Sequence, residues 1–260
     1  MHGQSAEVEL EQAVAGEAPP AVIGRDLVKT YGEGPTRVDA LRGVDVDLGA
    51  GTFTAIMGPS GSGKSTLLHI LAGLEQPTSG SVEIAGARLD QLSDRELTLL
   101  RRNSIGFVFQ SYNLLPVLSA VENITLPVKI GNGTVDGDWL ETLIASMGLG
   151  DRRHHRPGEM SGGEQQRVAV ARALITHPAV VFADEPTGNL DSEAGGEILD
   201  LLRHAVDELG QTIAMVTHDP GAAAIGDRTL FLADGRIVEE RAGLGVEGIL
   251  DCLKGLKARR

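Results

Sequence analysis

Eight consecutive residues, Gly58, Pro59, Ser60, Gly61, Ser62, Gly63, Lys64 and Ser65, fit the pattern G-x-x-x-x-G-K-[ST]. Residues of these types in this order can hold phosphate. Glycines let successive backbone N–H groups turn inward around an anion, and a helix that starts at the lysine points its positive end at the same place. Lys64 is then expected to reach the terminal phosphates of a nucleotide and the Ser65 hydroxyl to ligate Mg2+, with Thr66 completing the binding turn. The run stands directly after the apolar stretch Thr52 to Met57 and directly before a helical pattern, the context that this chemistry requires. A flexible Gly/Ser turn is the bland alternative, and it has no need of that context.

A second group is carboxylic. Val180-Val181-Phe182-Ala183-Asp184-Glu185 reads as an apolar strand that ends in two acids. Beside a phosphate loop, Asp184 is expected in the Mg2+ shell, and Glu185 is left to polarise an attacking water as general base. Without the loop, the pair reads as a strand running into a solvated acidic turn. His218 follows the apolar stretch Thr212 to Val216, so it is expected at the same sheet edge as Glu185, where it could hydrogen-bond a terminal phosphate. A lone histidine is otherwise more often structural or exposed. Gln110 ends the stretch Ile105 to Phe109; alone it is unremarkable, but from there its side chain can touch the metal or a water.

The phosphate loop leaves kinases, GTPases and motor ATPases open. Ser161-Gly162-Gly163-Glu164-Gln165 narrows the field: followed by Gln166-Arg167 and upstream of the carboxylate strand, it resembles the signature motif of ABC ATPases. The resemblance holds in order and spacing from about Val22 to about Val238. It implies that Tyr31 stacks on adenine, that Gln110 is the glutamine loop, that Asn189-Leu190-Asp191 is the D-loop with Asp191 at the nucleotide, and that His218 is the switch histidine. Ser161, Gly162, Gly163 and Glu164 open a helical pattern, so they form a second anion site of the helix N-terminus kind. In the family the two loops serve one ATP from opposite chains. The resemblance therefore implies two copies clamping two Mg-ATP, with the motion passed through the Gln110 loop to an integral membrane permease. The wording from Ala183 to Asp191, with the SGGEQQR run, looks like the subfamily of macrolide exporters and lipoprotein-releasing systems, to which cell-division ABC ATPases are similar. That implies export, or extraction from the membrane. Met160 replaces the usual Leu before the signature, and Glu164 stands where many members carry a different polar residue; neither departure removes a ligand.

The elements that must position these residues follow from periodicity. Strands are expected at Ala21 to Val28, Val38 to Leu48, Phe53 to Met57, Ser81 to Ile84, Ile105 to Phe109, Val180 to Ala183, Thr212 to Val216 and Thr229 to Leu232. Helices are expected at Lys64 to Leu74, Asp94 to Arg102, Asp138 to Met147, Gly163 to Thr176 and Glu193 to Glu208. Alternating strands and helices predict an α/β fold with a mostly parallel sheet and ligands at its carboxyl edge; the family resemblance adds an antiparallel β subdomain. Over about 111–160 the strand signals stop and Pro and Gly breaks appear at Pro116, Pro127, Gly131, Gly133 and Pro157, which predicts an inserted helical subdomain. Residues 1–20, with four glutamates, read as a disordered acidic leader, residues 21–240 as the ATPase domain, and residues 241–260 as an amphipathic tail. Val246, Ile249, Leu250, Leu253 and Leu256 give that tail one apolar face, expected to pack on the domain or a partner rather than on a lipid surface.

Composition sets the outer limits. A chain of 260 residues with 42% hydrophobic but only 3% aromatic content suits an aliphatic α/β core. No apolar run reaches the ~18–20 residues that cross a bilayer, so direct membrane insertion is not expected and a peripheral place on the cytoplasmic face, through the permease, is. A net charge of −13 repels nucleic acid phosphates and anionic lipid alike, so nucleic acid is not an expected partner. The single Cys252 fits a reducing compartment and receives no role, and the basic run Arg152 to Arg156 reads as surface rather than a metal site. The rival reading is a soluble ABC ATPase of repair, translation or iron-sulfur assembly. The long coiled coils or fused cassettes of its repair and translation members are missing from this sequence.

Overall fold

The computed structural model describes residues 19–258, so nearly all of the expected acidic leader lies outside the described residues. Two sheets organise the rest. β1 (Val22–Tyr31), β2 (Val38–Leu48), β4 (Ser79–Ile84) and β5 (Ala87–Arg88) form an antiparallel sheet in the order β2-β1-β4-β5. β3 (Phe53–Met57), β6 (Ile105–Phe109), β7 (Val180–Asp184), β8 (Ile213–Val216), β9 (Arg228–Ala233) and β10 (Arg236–Ala242) form the second, in the order β10-β9-β3-β8-β7-β6. All its pairings are parallel except that of β10 with β9. β3 and β8 are buried at every position, as strands covered on both faces must be. The fold is α/β with a mostly parallel sheet beside an antiparallel one, as the sequence predicts.

The helices are α1 (Lys64–Leu71), α2 (Asp94–Ser104), α3 (Ala120–Ile130), α4 (Gly137–Ser146), α5 (Gly162–Leu174), α6 (Ser192–Asp207), α7 (Pro220–Ala223) and α8 (Val246–Ala258). Alternation along the strands sorts two cores. Val180 and Phe182 face one way, onto Leu67, Leu68 and Leu71 of α1 and through them onto Leu27 and Val46 of the antiparallel sheet. Val181 and Ala183 face the other way, with Met215, onto Val168 of α5 and Ile198 and Leu202 of α6. The helix that begins at the phosphate loop is therefore wedged between the two sheets. Burial of each Leu or Ile at these contacts is worth about 1.5–3 kcal/mol, enough to hold the loop that precedes α1.

α3 and α4 lie between β6 and β7, where the helical insert is expected. Trp139 pins α4 to α5 by donating from Nε1 to the Leu174 carbonyl at 3.2 Å, and it stacks on His177 at 4.5 Å. Two expectations need correction. Pro127 does not break the segment: α3 runs through it to Ile130, because the Ser119/Glu122 capping box and the burial of Ala120 and Ile124 hold the helix and the proline falls near its last turn. The domain edge expected at residue 240 falls inside β10, which pairs with β9 as far as Ala242. The tail lies on the domain, one of the two places expected for it. Ile249 and Leu256 of α8 are buried against Ala55, Met57 and Phe231, so its apolar face packs on the main sheet.

Candidate active site

Parallel strands bring their carboxyl ends to one edge, and the expected residues gather there. β3 runs into the phosphate loop, β7 into Asp184 and Glu185, β8 into Thr217 and His218, and β6 into Gln110. The loop itself depends on glycine. A Cβ at Gly58, with φ at +155°, would stand 2.0 Å from the Leu232 carbonyl oxygen, and one at Gly63, with φ at +103°, 2.4 Å from that of Ala40. Only glycine fits either place. The hydroxyl of Ser62 is buried in the same turn and has no hydrogen-bond partner among the described residues.

Lys64 lies folded back on its own loop, donating to the carbonyls of Gly58 at 3.0 Å and Pro59 at 3.1 Å. Burial pulls its pKa down, and the charges of Glu185 and Asp184 oppose that shift. Ser65 Oγ stands 3.4 Å from Asp184 Oδ1. A hydroxyl and a carboxylate facing each other at a strand end are the hard oxygen donors that Mg2+ takes, so the donor set fits that ion. The other oxygen of Asp184 is 3.6 Å from His69 Nε2. His69 is absent from the sequence reading, although its place four residues after Ser65 on α1 puts both on one helix face.

Glu185 adopts a left-handed conformation with φ at +50°, which costs a side-chain-bearing residue about 1–3 kcal/mol. Its N–H donates to the Val216 carbonyl at 3.0 Å, its carbonyl accepts from Gly188 at 3.0 Å, and its carboxylate meets His218 Nδ1 at 2.7 Å. The turn thus aims the acid at the histidine on the neighbouring strand. The His218 side chain is 74% exposed and that of Glu185 22%, so the pair opens to solvent from the histidine side.

Two residues are held in ways that sequence does not reveal. Gln110 Nε2 donates to Asn189 Oδ1 at 3.0 Å, and Asn189 Nδ2 returns a bond to the Gln110 carbonyl at 3.0 Å, which ties the glutamine to the Asn189-Leu190-Asp191 segment. The Tyr31 hydroxyl donates to Glu75 at 2.7 Å, and the ammonium of Lys29 lies 5.1 Å from the centre of its ring. Burial raises the pKa of that hydroxyl, and the bond to Glu75 adds to the rise. The residue stays 39% exposed.

The second loop stands apart. Among the described residues Ser161, Gly162, Gly163 and Glu164 make no hydrogen bond to the phosphate loop; their close neighbours are Tyr112, Leu190 and Ala194. Glu164, expected at the nucleotide, caps its own helix within this chain. Its carboxylate accepts from the Ser161 N–H at 2.7 Å and from Arg152 at 2.7 Å, and Arg152 above all holds its pKa below the usual range. Asp191 caps α6 by accepting from Ala194 N–H at 2.9 Å. Arg153 pairs with Glu141, so the basic run is partly neutralised by acids of the helical insert and by Glu164.

Comparison with known proteins adds four findings. The family model described as ABC transporter matches residues 41–188. The lipoprotein-releasing system ATP-binding protein LolD of Geobacter metallireducens is 46% identical over 218 residues, 83% of this chain and 96% of that one. The macrolide export ATP-binding/permease protein MacB of Marinobacter nauticus is 45% identical over 223 residues, which cover 85% of this chain but only 34% of that protein. The chain thus spans about a third of MacB. Among solved structures, the dimeric post-hydrolysis state of the ATP-binding cassette MJ0796 bound to ADP and Pi matches with a TM-score of 0.77 at 41% identity, over 86% of this chain and 99% of that one.

Proposed function

The chain belongs to the ABC transporter family as an ATP-binding and ATP-hydrolysing subunit, and from that premise we propose that two copies clamp two Mg-ATP to drive a membrane permease in export or in extraction from the membrane. One observation carries this reading. The phosphate loop, Asp184, Glu185 and His218 share one sheet edge, while the Ser161 loop of the same chain makes no bond to it. A second copy can supply that loop, as the two-fold symmetry of most homodimers allows. The similarity to LolD and MacB supports the direction of transport.

In this mechanism the exposed ring of Tyr31 stacks on adenine and the loop N–H groups receive the phosphates. Lys64 leaves the carbonyls of Gly58 and Pro59 for the phosphate oxygens. Ser65 and Asp184, joined by Gln110 once it releases Asn189, would hold Mg2+, which supplies charge neutralisation at the phosphates. Glu185 takes the proton of the attacking water, and His218 orients Glu185 and hydrogen-bonds the terminal phosphate. Ser161, Gly162 and Gly163 of the second copy cap the same phosphate, with Glu164 and Arg152 setting the loop's shape.

The permease is assigned to a groove of about 430 Å3 beside Gln110, lined by Arg101, Arg102, Phe107, Phe109, Pro127 and Arg172. Among the described residues none of these arginines pairs with a carboxylate: Arg102 donates to the Asn103 side chain, Arg172 to the carbonyls of Asn113 and Tyr112, and Arg101 Nε has no partner. In this reading the permease holds the chain at the cytoplasmic face of the membrane; no helix among the described residues is long and apolar enough to cross a membrane.

The test is affinity capture from native membranes with Glu185→Gln, which binds ATP without turning it over and so traps the closed dimer. An integral membrane subunit is the expected companion, and capture of soluble partners alone would move the chain to the soluble ABC ATPases. Lys64→Ala is expected to lose ATP binding, and full turnover in that variant would defeat the site assignment.

A further inference from the structure

The tail helix has one apolar face, and the core covers only part of it. Ile249 and Leu256 are buried against β3 and β9, whereas Val246 is 44% and Leu250 40% exposed. Val246, Leu250 and Leu253 follow one another at spacings of four and three, so they form one continuous stripe. That stripe does not face open surface throughout. Leu250, Leu253 and Lys254 form one wall of a cavity of about 410 Å3 whose other wall is Pro59 and Ser60 of the phosphate loop and His218. A large apolar side chain left exposed beside the site is the kind of feature that marks an interaction surface.

We propose that the Leu250 face of α8 is part of the interface with the second copy, seated beside the nucleotide. The inference rests on the ATP-clamped dimer argued above. In that dimer the second copy's Ser161 loop must close over a phosphate held by the Gly58–Ser65 loop, so its surface passes over Pro59, Ser60 and His218. Leu250 lies across the cavity from those residues, and the stripe continues the same surface outward. Closure removes Val246 and Leu250 from water, together with what the core leaves open of Leu253, which adds apolar area to a contact otherwise made of polar loops around nucleotide. It also gives the tail a link to hydrolysis: when the dimer reopens after turnover at His218 and Glu185, the apolar face is exposed again.

The test compares Glu185→Gln with Glu185→Gln/Leu250→Glu, measuring the dimer dissociation constant by sedimentation in saturating ATP and the affinity of each for a fluorescent nucleotide at monomer concentrations. Leu250 is exposed on its own helix, and an unchanged melting temperature confirms that the variant folds. The expected result is dimerisation weakened about tenfold or more, with nucleotide affinity preserved. Unchanged dimerisation would overturn the proposal. Failure of Glu185→Gln itself to dimerise in ATP would instead defeat the dimer reading on which it stands. As a second measurement, Leu250→Met should dimerise as the parent does, and a loss as large as that of Leu250→Glu would also count against an apolar contact.

Discussion

Glu185 shows how one residue links sequence, backbone and chemistry. It follows a strand that is apolar up to its last residue, Asp184, turns left-handed at φ +50°, and by that turn meets His218 at 2.7 Å. The strain is tolerable because the Val216 and Gly188 backbone bonds fix the turn from both sides. Because His218 acts chiefly by orienting the base, His218→Ala should lower the rate of the hydrolytic step by about 10²–10⁴-fold and shift ATP affinity far less. Single-turnover rates and equilibrium binding on the same preparation separate the two; an equal loss in both would assign His218 to binding. The types and order of these residues are legible in the sequence, since phosphate loop, acid pair and histidine each follow an apolar strand. The bonds that hold them are not. The Gln110–Asn189 exchange spans 79 residues, and the fold-back of Lys64 onto Gly58 and Pro59 depends on how the loop curls.

At the scale of elements, helix starts are governed by a device visible in the sequence. Ser93/Glu96, Ser119/Glu122 and Ser161/Glu164 each place Glu three residues after Ser, and each closes a reciprocal capping box. Ser119→Ala should therefore lower the melting temperature by about 2–4 °C at neutral pH. The pH dependence has a definite sign. Backbone and side-chain hydrogen bonds from Ser119 hold the Glu122 carboxyl below its ordinary value, so its contribution is complete above the unfolded-state pKa and is lost as pH falls through the folded one. The gap between Ser119→Ala and the parent should shrink on acidification below about pH 4.5, and melts at pH 7 and pH 3.5 measure it; a constant gap would mean that the carboxylate is not part of the cap. β10 escapes the sequence reading because Ile237 and Val238 are adjacent and its outer face is charged. Yet the turn before it, Asp234 and Gly235, has φ positive at both positions, the mark of a tight hairpin that an Asp-Gly pair signals.

The whole molecule is acidic, at −13, and against that background the groove beside Gln110 gathers Arg101, Arg102 and Arg172, none of which has a carboxylate partner among the described residues. No window of sequence announces this, because the three arginines come from α2 and α5 and meet only through packing on β6. Arg172 is held by the carbonyls of Asn113 and Tyr112, and burial alone pulls its pKa down, with no acid nearby to oppose the shift. A desolvated cation without an anion is costly, and a partner that brings carboxylates to the groove removes that cost. The proposed permease contact should therefore be electrostatic in character. Arg101→Glu/Arg102→Glu should weaken association with the permease in detergent by about tenfold or more, while ATP binding by the isolated chain is preserved. Raising the salt concentration should weaken the parent complex as well, because charges at an open groove are screened over a Debye length of about 8–10 Å. A complex indifferent to both the substitutions and the salt would place the permease on another face of the molecule.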